Sequence, residues 1–140
     1  MEIEQYLAQS RRVLRHLGRH VWRRLQTCGA RVSEPVGAFY LFPDFSALRG
    51  KLAERGIRDS AKLCTTLLEE TGVATLPGVD FGRPLDELTL RLAYVDFDGA
   101  RALVAAQQLP PGKELDKAFL ELYCPNVVHA MEALYCWMQQ

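Results

Sequence analysis

The clearest β-strand of the sequence is Leu88-Thr89-Leu90-Arg91-Leu92-Ala93-Tyr94-Val95. Apolar residues alternate along it with polar or small ones, which is typical of a pleated surface buried on one side. Three shorter segments, at residues 30–33, 38–42 and 73–76, carry similar residues between turn-forming Pro and Gly. We therefore predict a small, largely antiparallel (mixed) sheet of about four strands.

Residues 2–27 are predicted to form one long amphipathic helix. Apolar residues recur every three or four positions, and arginines lie on the opposite face. The apolar set is Ile3, Leu7, Leu14, Leu17, Val21, Leu25 and Cys28, and the basic set is Arg11, Arg12, Arg15, Arg19 and Arg23. At 1.5 Å per residue such a helix is roughly 40 Å long, which is more than a small domain needs. We expect it to connect this domain to another.

Further helices are predicted at residues 59–70 and 99–108, and in a tail that Pro125 divides into two helices. The order of elements alternates helices with pairs of strands. It indicates an α+β fold in which helices back the small sheet, with a long N-terminal helix and extra C-terminal helices.

Composition predicts one compact domain. The chain has 140 residues, 49% of them apolar, and its 17 basic residues balance 17 acidic ones. That length and apolar fraction are typical of a single packed domain. The sequence contains neither the ~20 apolar residues that cross a bilayer nor a secretory signal. Because four scattered cysteines do not suggest a disulfide framework, we expect a cytoplasmic protein, or a piece of one, without membrane contact.

Three blocks, in order, resemble a known family. They are Pro35-Val36-Gly37-Ala38-Phe39-Tyr40-Leu41-Phe42-Pro43-Asp44; Leu67-Leu68-Glu69-Glu70-Thr71-Gly72-Val73-Ala74-Thr75-Leu76-Pro77-Gly78 followed by Phe81-Gly82; and Leu88–Tyr94 of the first strand. Together they resemble the C-terminal (small) domain of class I/II aminotransferases, the fold type I enzymes that depend on pyridoxal phosphate (PLP), on the aspartate-aminotransferase-like branch. The resemblance covers about residues 21–108. We divide the single domain, residues 1–140, into a connecting helix (1–28), the aminotransferase-like core (29–108) and a helical tail (109–140).

The resemblance implies a role for two residues in substrate binding. In this family the small domain closes over the substrate and contributes an arginine to its α-carboxylate, and by position that arginine is Arg91. A guanidinium suits this role because its planar fork pairs bidentately with a carboxylate. Phe39 matches a position that lines the substrate side, although core packing explains a phenylalanine there equally well. Gly37 and Gly78 are interpreted as turn glycines, a residue type that tolerates positive φ, and not as phosphate binders.

The resemblance also implies that PLP is held elsewhere. The family's large domain carries the Schiff-base lysine and most cofactor ligands. Lys62 follows Ser60 in a superficially similar pattern, but the expected downstream arginine is missing. We therefore expect no catalytic residue in this chain, no activity alone, and a PLP-bearing large domain as partner in the parent enzyme. The substrates would be an amino acid and a 2-oxo acid. Apolar surface that normally faces the large domain would promote self-association or a homodimer.

Other functions remain open from the residues alone. Seven arginines between Arg11 and Arg31, with His16 and His20 among them, suit a nucleic-acid-binding face. A solvated amphipathic face explains them without any ligand, so we predict no nucleic-acid partner. A free-standing, non-catalytic domain that binds a small acid at Arg91 is a further alternative.

A metal site is not predicted. His16 and His20 share a helical face, and Cys124, His129 and Cys136 lie near one another in the tail. Neither spacing matches a tetrahedral zinc motif.

Overall fold

Six α-helices and three short β-strands make up the computed structural model, which describes residues 1–140. The helices are α1 (Ile3–Thr27), α2 (Arg49–Glu54), α3 (Ser60–Thr71), α4 (Gly99–Gln107), α5 (Lys117–Tyr123) and α6 (Pro125–Gln139). The strands are β1 (Tyr40–Leu41), β2 (Leu76–Pro77) and β3 (Leu90–Ala93), and one-turn 3-10 helices occupy Ser46–Leu48 and Gly78–Phe81. The predicted α+β class is confirmed.

The sheet has three strands, not four, and every strand pair is antiparallel. The order is β1-β3-β2, with Leu41 opposite Leu92 and Leu76 opposite Arg91. The predicted strand at 30–33 is wrong: only Arg31 pairs there, in an isolated bridge with Asp44.

The physical reason lies in the backbone groups that follow this bridge. The Val32 carbonyl accepts a hydrogen bond from the Trp22 indole at 3.0 Å, and Pro35 has no N–H to offer a ladder. The segment is therefore tied to α1 and does not continue along the sheet.

The long helix α1 forms one wall of the core. Val13, Leu17, Val21 and Leu25 are buried, and α1 packs against both α4 and α6. The predicted apolar stripe is wrong at its N-terminal end. Ile3 and Leu7, like their neighbour Tyr6, are exposed, because the first two turns of α1 extend past the elements that cover the rest.

Short polar side chains begin three of the helices. Asp59 accepts from the Lys62 N–H, Asp98 from the Arg101 N–H and Asp116 from the Phe119 N–H, at 2.7–3.0 Å. Each bond satisfies one of the donors that a helix start leaves unpaired. Pro125 is the first residue of α6, where its missing N–H costs nothing.

The C-terminal helices pack as part of the domain. Met131, Leu134 and Trp137 of α6 are buried in the common core. Lys51 of α2 and Arg55, the residue that follows α2, hold the end of α6: Lys51 donates to the Met138 carbonyl at 2.9 Å and Arg55 to the Trp137 carbonyl at 3.0 Å. Positive charge at a helix C-terminus is favourable because it opposes the helix dipole. None of the six helices has both the length and the hydropathy of a membrane span.

Candidate carboxylate-binding site

Arg91 lies on the side of the sheet that faces away from the core. Along β3 the burial alternates: Leu90 and Leu92 are buried, Arg91 is half-buried and Ala93 is exposed. Aromatic and aliphatic side chains surround the guanidinium on this side. We call this surface the Arg91 face, and it comprises Tyr40, Phe42, Leu76, Phe81 and Arg91.

Two aromatic rings hold the guanidinium of Arg91. Its Cζ lies 4.5 Å from the ring centroid of Tyr40 and 4.5 Å from that of Phe81. Such contacts attract a cation through the ring quadrupole. Neither contact uses the N–H groups of Arg91, which make no side-chain hydrogen bond within the chain.

No acid of the chain neutralises Arg91. All five ion pairs of the molecule, within 4.0 Å, involve other residues, and no side-chain hydrogen bond from Arg91 is present. By contrast, nearby Arg83 pairs with Glu87 at 2.6 Å. Arg91 is thus an oriented cation with unused donors, which is the arrangement that a planar anion such as a carboxylate requires.

Gly78 allows the Phe81 turn to approach β3. Its N–H donates to the Thr89 carbonyl at 2.9 Å, and a Cβ at this position would lie 1.9 Å from Thr89 Oγ1. Gly78 begins a 3-10 turn, but its φ is not positive. The small residue is needed for close approach. It lets the Gly78–Phe81 turn carry Phe81 over the guanidinium.

In the turn that contains Gly37, the residue with a positive φ is Ala38. Ala38 has φ 56°, a left-handed conformation that costs an L-residue about 1 kcal/mol or more. Tyr94 anchors the segment: its N–H donates to the Phe39 carbonyl at 3.1 Å, and its hydroxyl donates to the Ala38 carbonyl at 3.4 Å. The hydroxyl is buried against Gly18 of α1, and this burial raises the pKa of Tyr94.

Phe39 is half-buried and packs against the core. Its ring centroid lies 4.4 Å from that of Tyr40, so Phe39 supports one of the two rings that hold Arg91. The core packing that the sequence offered as an alternative explanation for Phe39 is therefore present. A direct contact with substrate stays a prediction.

The sequence blocks contained Tyr40 and Phe81 but gave neither of them a role. They are 41 positions apart, and only strand pairing and the 3-10 turn bring both rings to one side chain. An aromatic residue at an outward position of a predicted strand was the only local signal, and it applied to Tyr40 alone.

The four lysines do not fit the role of a Schiff-base residue beside Arg91. Lys51 donates to the Met138 carbonyl, and Lys117 pairs with Glu121 at 3.5 Å. Lys62 is exposed in the first turn of α3, and Lys113 lies in the segment before α5. None belongs to the sheet or to the turn that carries Phe81.

Histidines and cysteines form no metal or nucleophilic site here. No group of three or more His, Cys, Asp or Glu side chains is placed to share an ion. Cys28, Cys64 and Cys124 are buried, and burial raises the pKa of Cys28 and Cys124 to about 11. Because the thiolate is the reactive form, these thiols are poor nucleophiles at neutral pH. Cys136 is exposed and unpaired.

Known proteins with similar sequences are aminotransferases. The chain is 41% identical over 68 residues to a bifunctional aspartate and glutamate/aspartate-prephenate aminotransferase of Petunia hybrida, which is 47% of this chain and 14% of that protein. It is 47% identical over 66 residues to a probable aspartate/prephenate aminotransferase of Aquifex aeolicus, again 47% of this chain and 15% of that protein. The chain thus matches about a seventh of the length of these relatives. No protein-family model matches it.

The fold is also found in a solved aminotransferase. A crystal structure of an aminotransferase from Mycobacterium tuberculosis superposes with a TM-score of 0.54 at 23% identity, over 91% of this chain and 24% of that one. At that identity the likeness concerns the fold. The resemblance drawn from the three blocks is confirmed: the chain is similar to the C-terminal domain of fold type I aminotransferases.

Proposed function

We propose that this chain is the substrate-closing C-terminal domain of a PLP-dependent aminotransferase, in which Arg91 binds the α-carboxylate of the amino acid or 2-oxo acid. One observation carries the proposal: the guanidinium of Arg91 is oriented by two rings and has no acidic partner in the chain. The sequence similarity to aminotransferases supports the same class of substrate.

The surroundings of Arg91 favour a carboxylate over water. Tyr40 and Phe81 both contact the guanidinium, and its N–H groups have no acceptor in the chain. An anion that binds these N–H groups can therefore keep the charge–ring contacts and add charge-assisted hydrogen bonds. Two parallel N–H···O bonds fix the direction of the carboxylate plane. A substrate held in this way has lost most of its orientational freedom, and orientation is a large part of rate enhancement.

PLP, when bound in an aminotransferase, supplies the electron sink for the reaction. No lysine of this chain lies in the sheet or in the turn around Arg91. We therefore assign no reaction step and no cofactor contact to residues of this chain. The lysine and PLP belong to another domain of the parent enzyme. Alone, the 140 residues are expected to bind acids without transaminating.

The exposed side chains of the Arg91 face support a partner domain. Tyr40, Phe42, Leu76 and Phe81 are each 37–45% exposed. A contiguous apolar patch of this kind is typical of a surface that another protein body covers. In the proposal that body is the large domain, and in its absence the same patch drives self-association or a homodimer.

The binding role of Arg91 is testable in the chain itself. We expect titration with L-aspartate or succinate to shift the Arg91 Nε–Hε resonance in ¹⁵N NMR spectra. The reason is that a hydrogen bond to a carboxylate deshields the proton of the donating N–H group. Arg91→Gln should abolish the binding, and Arg91→Lys should weaken it, since an ammonium lacks the planar fork. Arg58, an exposed arginine without an ion pair, is the matched control as Arg58→Gln. Equal binding by wild type and Arg91→Gln would falsify the assignment.

A free-standing acid-binding domain is the second candidate, and the packing of α6 into the common core favours it. The two candidates differ in the mass of the native protein. An antibody against this domain should detect a species much heavier than 15.8 kDa if the domain belongs to an aminotransferase. A native species of 15.8 kDa would instead support the free-standing domain.

A further inference from the structure

A concave surface separate from the Arg91 face lies between α1 and the segment that precedes α5. Its volume is about 460 Å³, and one of its eleven lining residues, Ala8, is hydrophobic. Its charged and titratable lining residues are Arg11, Arg12, Arg15, His16, Arg19 and Lys113, and the only acid among them is Glu114. We call it the basic cavity. It shares no residue with the Arg91 face.

A row of like charges lines one wall of the basic cavity. Arg11, Arg15 and Arg19 follow one another at four-residue spacing, which places them on one face of α1. Like charges at this spacing repel and destabilise a helix. Only Arg19 has an acid nearby, with its Nε 3.6 Å from Glu34 Oε1. Arg11 and Arg15 have no ion-pair partner, so the repulsion is largely uncompensated within the chain.

Arg12 fixes the opposite wall. Its guanidinium makes five hydrogen bonds to four backbone carbonyls, those of Ala106, Leu109, Pro110 and Lys113. These bonds hold the segment that leads from α4 to the cavity. The carbonyls are neutral acceptors, so the charge of Arg12 adds to that of its neighbours. Beside it, the His16 Nδ1–H donates to the Arg12 carbonyl at 2.8 Å.

We infer that the basic cavity binds a compact anion that carries two or more phosphate groups. The volume is in the range of small-ligand sites, roughly 300–1,000 Å³. The arginine row extends about 12 Å along the helix axis at 1.5 Å per residue, which exceeds one phosphate and matches a short chain of them. Guanidinium groups bind phosphate oxygens bidentately.

The shape of the basic cavity favours such an anion over a nucleic acid. Pro111 and Gly112 line the basic cavity together with the arginines, so backbone on that side would hinder the approach of a wide duplex. Glu34 and Glu114 border the row and would oppose an extended strand of phosphates. A small polyphosphate fits between these boundaries.

Calorimetric titration of the 140-residue chain with inorganic tripolyphosphate at low ionic strength tests the inference. We expect saturable binding that weakens with added salt. The double variant Arg11→Gln/Arg15→Gln should lower the affinity about tenfold or more, since each charge-assisted pair is strong. Both side chains are exposed and their mutual repulsion is removed, so the variant is expected to unfold at or slightly above the wild-type temperature. Arg58→Gln, which removes another exposed arginine without an ion pair, is the control that should bind as wild type does.

Three outcomes overturn the inference. The first is the absence of tripolyphosphate binding in the millimolar range. The second is an equal loss of affinity in Arg58→Gln, which indicates charge attraction without a site. The third is tighter binding of a random-sequence duplex that depends on the same two arginines, which identifies a nucleic-acid surface. Titration of the double variant with L-aspartate, which should bind as it does to wild type, keeps this test independent of the proposed aminotransferase role.

Discussion

Arg12 and Arg91 are both half-buried arginines, but their surroundings differ completely. At the junction of α1 with the segment after α4, backbone carbonyls accept five hydrogen bonds from Arg12. On the Arg91 face, two rings contact the guanidinium and nothing accepts from it. The two residues have the same charge and similar burial.

The difference teaches how a structural arginine is distinguished from one that binds a ligand. The N–H groups of Arg12 are bonded to carbonyls within the fold, so its removal breaks five hydrogen bonds at once. Arg91 is held in place while its hydrogen-bonding capacity is unused. The two roles differ in whether the N–H groups of the guanidinium already have acceptors within the chain. Charge and burial do not distinguish them, because both are similar in the two residues.

The largest expected effect contrasts the two arginines in stability. Arg12→Gln should lower the free energy of unfolding by about 3 kcal/mol, because it removes several charge-assisted hydrogen bonds at once. Arg91→Gln should cost about 1 kcal/mol or less, the value of its ring contacts. Urea unfolding of both variants measures the difference. A larger loss at Arg91 than at Arg12 would contradict the distinction between the two sites.

A smaller effect tests how the two regions are joined. Tyr94, three residues after Arg91, packs on α1, where a Cβ at Gly18 would lie 2.7 Å from its hydroxyl oxygen. Gly18→Ala should therefore destabilise the protein by about 2 kcal/mol through overpacking. Elsewhere in a helix interior the same change typically stabilises by about 1 kcal/mol.

Thermal unfolding of the double variant Gly18→Ala/Tyr94→Phe provides the control. Removal of the hydroxyl relieves the closest contact, so part of the loss should return. A stabilising Gly18→Ala in the wild-type background would show that α1 and the strand end are not in tight contact.

The smallest effect concerns pH and the α1 junction with the tail. His20 is half-buried, and its Nε2 has no partner. Burial, and then Arg24, lowers the pKa of His20 from 6.5, with Lys117 acting in the same direction and Glu132 and Glu121 against it. The unfolded chain then binds the proton more tightly, so stability is full above about pH 6.5 and falls as the pH drops below it.

Stability curves between neutral and mildly acidic pH test this expectation. Wild type should lose stability below pH 6.5, and His20→Gln should lose less over the same interval. If the free energy of unfolding falls equally with pH in the two proteins, His20 does not cause the loss of stability.

The candidate site was predictable where local signals sufficed. The alternation of Leu90, Arg91 and Leu92 indicated a strand with Arg91 outward, and the three blocks supplied its expected role. The partner rings of Tyr40 and Phe81 were not predictable, because strand pairing and a close approach at Gly78 bring them together.

The sequence by itself determined the α+β class, the long first helix, the strand that carries Arg91 and the similarity to aminotransferases. These depend on periodicity and on motifs, which are local properties of the chain. Only the tertiary structure decided that Arg12 is bound by carbonyls while Arg91 is left with free donors. Both assignments depend on which backbone groups and rings, distant in the sequence, contact each guanidinium. Tertiary packing alone determines those contacts.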